Sequence, residues 1–368
     1  MPGRHVAVVV AVVVLGLVGT AHAADAGKLV KAEGQVFVRP PAGNEAPAHA
    51  GDALPAGSQI RTGADGTAEV SFVDGSVLRL TKGSSVMLSA NKRQKEKNSI
   101  VLFFGRVWSK VMPSKDGGTS YEVGTANAVC GVRGTEFETQ VADDGSMRMQ
   151  VTEGKVAVDG DSGEQVAGPG QQVEADEQSV SATEGAQGQA GYDKWQKQKG
   201  ERLKKNSEGI VKSIKGKVLS RQQKIESLRA EQKDLEAKRK DAAGRAKEGD
   251  KSAIDEIRGY NQRLADIADQ IADLGDEATA QVGLVDHFAD LVNDPRFRGI
   301  SRKYIELEAA SLRRVKAMLD KMVAEGTDMS IESMNKMLDD MSKGKGTLRE
   351  KSGSSTKDLF GDDELKKF

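Results

Sequence analysis

Cysteine and histidine are almost missing from this 368-residue chain, which holds one Cys and four His. His5 and His22 fall in an N-terminal segment expected to be removed, leaving His49, His287 and the lone Cys130. A Cys/His zinc centre needs three or four ligands, so no metal is expected. One thiol has no partner within the chain, which excludes a disulfide framework. A Ser/His/Asp or Cys/His triad would have to use one of those two histidines, and neither lies beside a nucleophile motif. No phosphate-cradling Gly-Lys-Ser/Thr loop is present. Aromatic residues number 15, or 4% of the chain, too few for one large aromatic core. Charge of one sign is missing too: 54 basic against 55 acidic residues leave a formal net charge of −1, so bulk charge does not point to nucleic acid. No catalytic residue and no cofactor is therefore expected, and the chain is read as a non-enzyme.

Long hydrophobic runs are scarce as well. Only Val6 to Val18, an uncharged run of 13 residues, stands out. It follows Arg4 and precedes Ala21-His22-Ala23, the order of a secretory signal with small residues before the cut. Residues 1–23 are read as a signal peptide cleaved before Ala24. The alternative is a retained anchor. No cysteine at the cut offers a lipid attachment point, and no later run is long enough to cross a membrane. The mature protein is thus expected in the periplasm or outside the cell, with no transmembrane helix after cleavage.

Proline and glycine are unevenly spread. Ala24 to Ala186 contains 22 Gly and 6 Pro, whereas Pro295 is the only proline after Pro169. Proline is excluded from helix interiors, so the later stretch, rich in Ala, Lys, Glu, Leu, Gln and Arg, is predicted to be helical. Charge divides with it: residues 24–186 carry 16 basic and 22 acidic side chains, net −6, and residues 187–368 carry 37 and 33, net +4. The predicted fold class is a mainly β N-terminal domain of short strands and glycine turns, followed by an α-helical, coiled-coil-like C-terminal region. The boundaries are a β domain over 28–175, a linker over 176–191, helices over 192–343 and a disordered tail over 344–368.

In the first half Val30, Ala32, Val36 and Val38 alternate with polar or small neighbours. Ala68, Val70 and Phe72 alternate before Asp74-Gly75, and Leu78 and Leu80 follow, which predicts a hairpin with a type I′ turn. Ile100 to Val111 predicts a buried pair of strands broken at Gly105-Arg106, and further strands fit Tyr121–Val123, Ala126–Val132, Thr135–Val141, Met147–Val151 and Lys155–Val158. In the second half Ile257, Tyr260, Leu264, Ile267, Ile271 and Leu274 keep the three-four spacing of a coiled-coil seam. Val218, Ile225 and Leu228 begin a matching seam, but Gln232 and Arg239 take its next slots. One helix from Tyr192 to about Ala243 and a return arm from Ser252 to about Leu274 are predicted to fold back as a hairpin, with Ser252-Ala-Ile-Asp255 as a capping box. That hairpin requires the polar slots to face outward; otherwise the seam is left to a second protomer. Shorter helices are predicted over 278–292, 301–324 and 330–342.

The first half also carries an ordered set of short motifs. Gly34-Gln-Val36, Gly51-Asp52, Ile60-Arg-Thr-Gly63, Asp74-Gly-Ser76, Gly105-Arg-Val107, Thr125-Ala-Asn-Ala128, Cys130-Gly-Val-Arg-Gly-Thr-Glu-Phe137 and Glu153-Gly-Lys-Val156 occur in sequence. Together they resemble the FecR-type domain, the periplasmic module of ferric-citrate regulators, over about residues 28–175; the helical half resembles nothing beyond generic coiled coil. The resemblance implies a mainly β fold without chemistry of its own. It marks Asp74, Gly75, Ser76, Val132, Arg133, Gly134 and Thr135 as family signature residues of structural character. Regulators of that family place a sigma-factor-binding segment ahead of a membrane helix. Only three residues precede Arg4 here, so that signalling role is not expected to carry over.

Arg133 either grips a carboxylate or, on the favoured reading, bonds loop carbonyls beside a positive-φ Gly134. Cys130 is expected to be a buried, inert thiol rather than an intermolecular disulfide, and Trp195 to pack against the β domain. Asp143 and Asp144 should point apart, as adjacent side chains do in extended chain. The basic runs Lys92–Lys97 and Lys194–Lys224 are expected to be solvated surface. Polar residues alternating back from Phe368 exclude a membrane β-strand. The functional expectation is an exported cell-envelope interaction or scaffold protein that meets protein partners through its helices and binds no nucleic acid, with the β domain's ligand unknown. The alternatives are a binder of an envelope polyanion or a sensor of an envelope signal.

Overall fold

A computed structural model describes residues 25–89, 98–113, 121–184 and 189–327. The signal segment, the Lys92–Lys97 run, the expected helix over 330–342 and the expected tail lie outside the described residues.

Among the described residues the chain forms seventeen strands and then three long helices, β first and α after. The strands are β1 Asp25–Glu33, β2 Val36–Arg39, β3 Ala46–Pro47, β4 Ala53–Pro55, β5 Gln59–Thr62, β6 Thr67–Phe72, β7 Val77–Leu80, β8 Ser85–Leu88 and β9 Asn98–Lys110. They continue as β10 Tyr121–Gly124, β11 Ala128–Val132, β12 Glu136–Val141, β13 Met147–Glu153, β14 Val156–Gly160, β15 Gly163–Ala167, β16 Gln171–Ala175 and β17 Val180–Glu184. The last of these lies within the stretch expected to be a linker. The helices are α1 Gln189–Lys247, α2 Ser252–Leu291 and α3 Arg302–Thr327.

Two sheets enclose one core. The first runs β4-β1-β6-β7-β9-β12-β13-β16-β17 and the second β3-β2-β5-β8-β9-β10-β11-β14-β15. Strict alternation, as in Thr67–Phe72 where Ala68, Val70 and Phe72 are buried, sends one face of each sheet inward. Leu29, Ile60, Val70, Leu78, Ile100, Tyr121, Phe137 and Val158 meet in that shared core.

β9 belongs to both sheets. Where the sequence predicts two strands, one strand of 13 residues passes from sheet to sheet. Its first half pairs with β8 and β10, and its second half with β7 and β12. A bulge opposite Ser85/Val86 and Gly105 at φ 96° make the bend. A Cβ at Gly105 would stand 2.5 Å from Ser84 Cα, so the corner needs glycine twice over.

The pairing pattern occurs twice. In the first sheet β1-β6-β7-β9 is repeated by β9-β12-β13-β16. In the second sheet β2-β5-β8-β9 is repeated by β10-β11-β14-β15. The β region is thus a tandem pair of one supersecondary unit with β9 as the common strand.

The Asp74-Gly75 turn is not the expected two-residue type I′ loop. Phe72 N–H donates to Ser76 O at 2.9 Å and Gly75 N–H to Phe72 O at 3.1 Å, which closes a three-residue loop. Ser76 N–H and Oγ both donate to the Asp74 carboxylate, at 2.9 and 2.8 Å, and this local bonding selects the longer turn.

The helices pack on one another and on the sheets. Ile225 and Leu228 of α1 join Ile267, Ile271 and Leu274 of α2 and Ile305, Leu312 and Leu319 of α3 in a second core. α1 spans the single helix expected from Tyr192 to about Ala243 but is kinked at Asn206, at φ −136° and ψ 27°. α2 runs through the break expected after Leu274. Residues Ala278 to Val282 are buried without a gap, and packing there overrides the low propensity of Gly275. The expected Ser252 capping box is replaced by Asp250, whose carboxylate accepts from Ser252 N–H at 2.9 Å and Ser252 Oγ at 2.6 Å. Gln232 does not face outward as the hairpin argument required. It is buried and donates to Gly326 O at 3.0 Å. α3 supplies an acceptor inside the seam, which removes the penalty of an unpaired amide.

Candidate functional site

The signature residues lie at one end of the two sheets and hold the chain that leaves β9. Ser76 Oγ accepts from Met112 N–H at 3.0 Å, and Thr135 O accepts from Val111 N–H at 2.9 Å. A Cβ on Gly75 would contact Met112, and one on Gly134 would contact Pro113. Val132 is buried at the end of β11, opposite Tyr121 and Val156. Thr135 is buried just ahead of β12 and donates to Lys155 O at 3.0 Å. Gly134 takes φ 59°, as expected. Both motifs therefore converge on residues 111–113, and the arrangement is a clamp on backbone. Arg133 is exposed with no side-chain partner among the described residues, so it forms neither the carboxylate grip nor the carbonyl bonds considered for it. Cys130 is fully buried, and burial pushes its thiol up to about 12, which leaves it unreactive at neutral pH.

The opposite end of the first sheet is where the helices dock, and this end the sequence reading missed. A second Asp-Gly-Ser turn at 144–146 repeats the loop of the first: Ala142 N–H donates to Ser146 O and Ser146 N–H to Asp144, both at 2.9 Å. Asp144 is fully buried, and its carboxylate meets Arg202 of α1 at 2.7 Å. Glu177 contacts the other end of the same guanidinium. Burial raises the Asp144 carboxyl above its ordinary range, against the bond from Arg202. Burial likewise opposes the Arg202 charge, but the bonds that it donates to Glu177 and Asp144 outweigh this and hold the guanidinium firmly protonated.

The seam continues on both sides of this pair. Trp195 is buried against the β region, as expected, with the Arg148 guanidinium 4.4 Å from its ring centre. Lys217 and Arg221 reach Asp161 at 2.8 and 3.3 Å, and Arg221 also bonds Glu277 at 2.6 Å. Asn127 donates to Gly145 O at 2.7 Å and accepts from Lys217 at 3.1 Å. Over the second sheet, Val101 and Phe103 pack on Ala280 of α2. A Cβ at Gly283 would lie 2.2 Å from the Phe103 ring, so glycine sets how closely α2 approaches.

Asp143 and Asp144 do point apart. Asp144 goes to Arg202, while Asp143 faces a cleft of about 390 Å³ at the bend of β9. Phe104, Gly105 and Val141 supply its β wall, and Tyr192, Gln196, His287, Leu291 and Arg296 the helical wall. His287 Nε2 stands 3.2 Å from Asp143, and its ring stacks on Phe104 with centres 4.0 Å apart. Tyr192 Oη accepts from Gln196 Nε2 at 2.9 Å. A neighbouring cleft of about 380 Å³ shares Asp143, Gln196 and Arg296. A His-Asp pair is two parts of a nucleophilic triad, but no Ser, Thr or Cys is among the residues lining the first cleft. Among the described residues no cluster of three His, Cys, Asp or Glu could hold a metal ion. No helix among them is long and apolar enough to cross a membrane.

Comparison with known proteins agrees with the β half. Residues 58–157 match the family model described as FecR protein, a span from the start of β5 into β14 that takes in parts of both copies of the repeated unit. No curated protein is matched. Two crystal structures, at 2.50 and 1.65 Å resolution, of a protein from Parabacteroides distasonis described as an anti-sigma factor align with 21% identity and a TM-score of 0.31. Each alignment covers 34% of this chain and 59% of that one, so this chain spans a little over half the length of those structures. A structure described as a cell surface anchoring domain aligns with 30% identity and a TM-score of 0.17, covering 17% of this chain and 84% of that one.

Proposed function

We propose that the chain is an exported, non-enzymatic interaction protein of the bacterial cell envelope. Its FecR-like β region, over about residues 28–175, serves as a rigid base for a helical arm that meets a protein partner. The carrying observation is the outer surface of the helices: Leu307 and Met318 of α3 are 67% and 44% exposed, and Leu219 of α1 is 40% exposed. Leu307 and Met318 are eleven residues apart, which puts them on one face of α3. The FecR match supports an envelope setting, and the N-terminal segment is the basis for export. A photo-crosslinker at position 307 should capture one protein in intact cells, and Leu307→Glu with Met318→Glu should abolish capture by a crosslinker at 311. Capture that survives both changes would defeat this reading.

The polyanion-binding alternative loses support from the structure. Within the basic stretch of α1, Arg202, Lys204, Lys215, Lys217 and Arg221 are all engaged by carboxylates of the chain itself. Binding to anionic vesicles or purified cell wall that weakens steeply with salt would restore it.

A further inference from the structure

We propose that the cleft at the β9 bend binds a small neutral saccharide of one or two rings. Its volume of about 390 Å³ lies within the roughly 300–1,000 Å³ of small-molecule sites. The adjoining cleft of about 380 Å³ shares Asp143, Gln196 and Arg296 with it, so a second ring leaving the first cleft would meet the second.

The lining selects the chemistry. Asp143 on the floor opposes an anion, and Arg296 beside it opposes a cation. The adjoining cleft balances Asp143, Asp193 and Glu201 against Lys197, Lys204 and Arg296. A neutral ligand is the class neither part repels. That ligand must also satisfy polar groups of both kinds. Asp143 accepts, and Tyr192, whose oxygen already accepts from Gln196, is left to donate. Gln196 Oε1 is buried without a hydrogen-bond partner, which adds an acceptor at the wall. Phe104, Val141 and Leu291 offer an apolar surface next to these groups. A sugar ring fits this combination: its hydroxyls donate and accept, and its C–H face is apolar. The walls come from β9, the 142–146 turn, the start of α1 and the end of α2, so an occupant would touch both halves of the molecule at their junction. The inference rests on the cleft alone and stands whichever protein meets α3.

The test is calorimetric titration of the mature chain with N,N′-diacetylchitobiose, maltose and glucuronic acid. At least one neutral disaccharide should bind saturably, with Kd at or below about 1 mM, and more tightly than the anionic sugar. Asp143→Asn should weaken it about tenfold or more, the loss of one charge-assisted hydrogen bond, with the melting temperature recorded alongside. Gln196→Ala, a milder change on the opposite wall, should weaken it severalfold with the fold intact. Absence of saturation by either neutral probe at about 10 mM, tighter binding of glucuronic acid, or neutral-sugar binding untouched by both variants overturns the proposal.

Discussion

Arg202 faces two carboxylates, and the consequences of removing it follow from their exposure. The Asp144 side chain is 0% exposed and that of Glu177 is 6% exposed, while Arg202 itself is 27% exposed. Arg202→Met keeps the aliphatic stem and leaves both carboxylates facing a methyl group. Breaking a fully buried pair from one side costs about 3–5 kcal/mol; the part-exposed guanidinium lowers the expectation to about 2–4 kcal/mol, read by denaturant unfolding. Adding Asp144→Asn should recover part of that loss, and a double variant as unstable as the single would contradict the pairing. Asp276 of α2 gives a second residue-scale prediction. It accepts from Ser89 at the end of β8. Burial pushes its carboxyl up to about 7 from an ordinary 3.8, with the Ser89 bond opposing this and Asp273, Glu122 and Lys316 acting at longer range. Between those two values the folded protein holds a proton that the unfolded chain has released. Stability therefore falls as pH rises from about 4 to about 7 and is independent of this group above that. Asp144 and Asp286 are displaced in the same direction by burial, so Asp276→Asn should make the slope shallower rather than flat. Melting temperatures across that pH range check this, and an unchanged slope in the variant would refute it.

Elements differ in how far the sequence declared them. β6, β7, β12 and β13 follow from alternation alone, because each puts an apolar face on the core and a polar one opposite, although Gln140 of β12 and Arg148 of β13 are themselves buried. β9 misled the reading for a physical reason. Val101 and Phe103 on its outer face are covered by α2, so its apolar run reflects burial on both sides, and Gly105 bends the strand without ending it. Gly105→Ala should cost about 2–6 kcal/mol, the sum of a strained backbone and the clash with Ser84, measured by chemical unfolding. A loss below 1 kcal/mol would mean that the corner tolerates a side chain. The helical seam was legible in spacing, but Gln232 was read as an obstacle because its acceptor, Gly326 O, lies 94 residues away. No local pattern announces such a partner. Ile267, fully buried among α1, α2 and α3, tests the seam. Ile267→Lys should remove about 4 kcal/mol or more of helical stability at unchanged monomer mass by sedimentation. Dissociation of a dimer as the first effect would instead assign the seam to two protomers.

The division of the chain into a β half and a helical half was plain from proline, glycine and charge, yet the way the halves meet was hidden. The family signature drew attention to Asp74-Gly-Ser76 and Val132–Thr135, which clamp residues 111–113 at the end of the sheet away from the helices. The junction uses a second Asp-Gly-Ser at 144–146, a visible signal whose partner Arg202 is 58 residues on, inside a run of lysines that reads as solvated surface. Only the structure shows that Arg202, Lys217 and Arg221 reach carboxylates of the β side from this run, while Lys194, Lys197, Lys205, Lys212 and Lys224 stay exposed as expected. Buried groups on both sides of the seam couple the halves: Trp195 and Leu284 on the helices, Phe103 of β9 and the loop residues Ala126 and Asp144 on the β side. Interfaces between units of one chain permit relative motion unless they are large and apolar. Here apolar packing and buried ion pairs occur together, so the wild-type protein is expected to melt in one calorimetric transition. Gly283 is the position from which to separate the halves, because its missing side chain lets α2 lie against Phe103 while neither core depends on it for volume. Gly283→Leu should push α2 off the sheet and split the endotherm. The helical transition should move down by about 5 °C or more, and the β transition should stay within a few degrees of the wild-type value. Two transitions in the wild type, or one unshifted transition in the variant, would show that the halves stand side by side without stabilising each other.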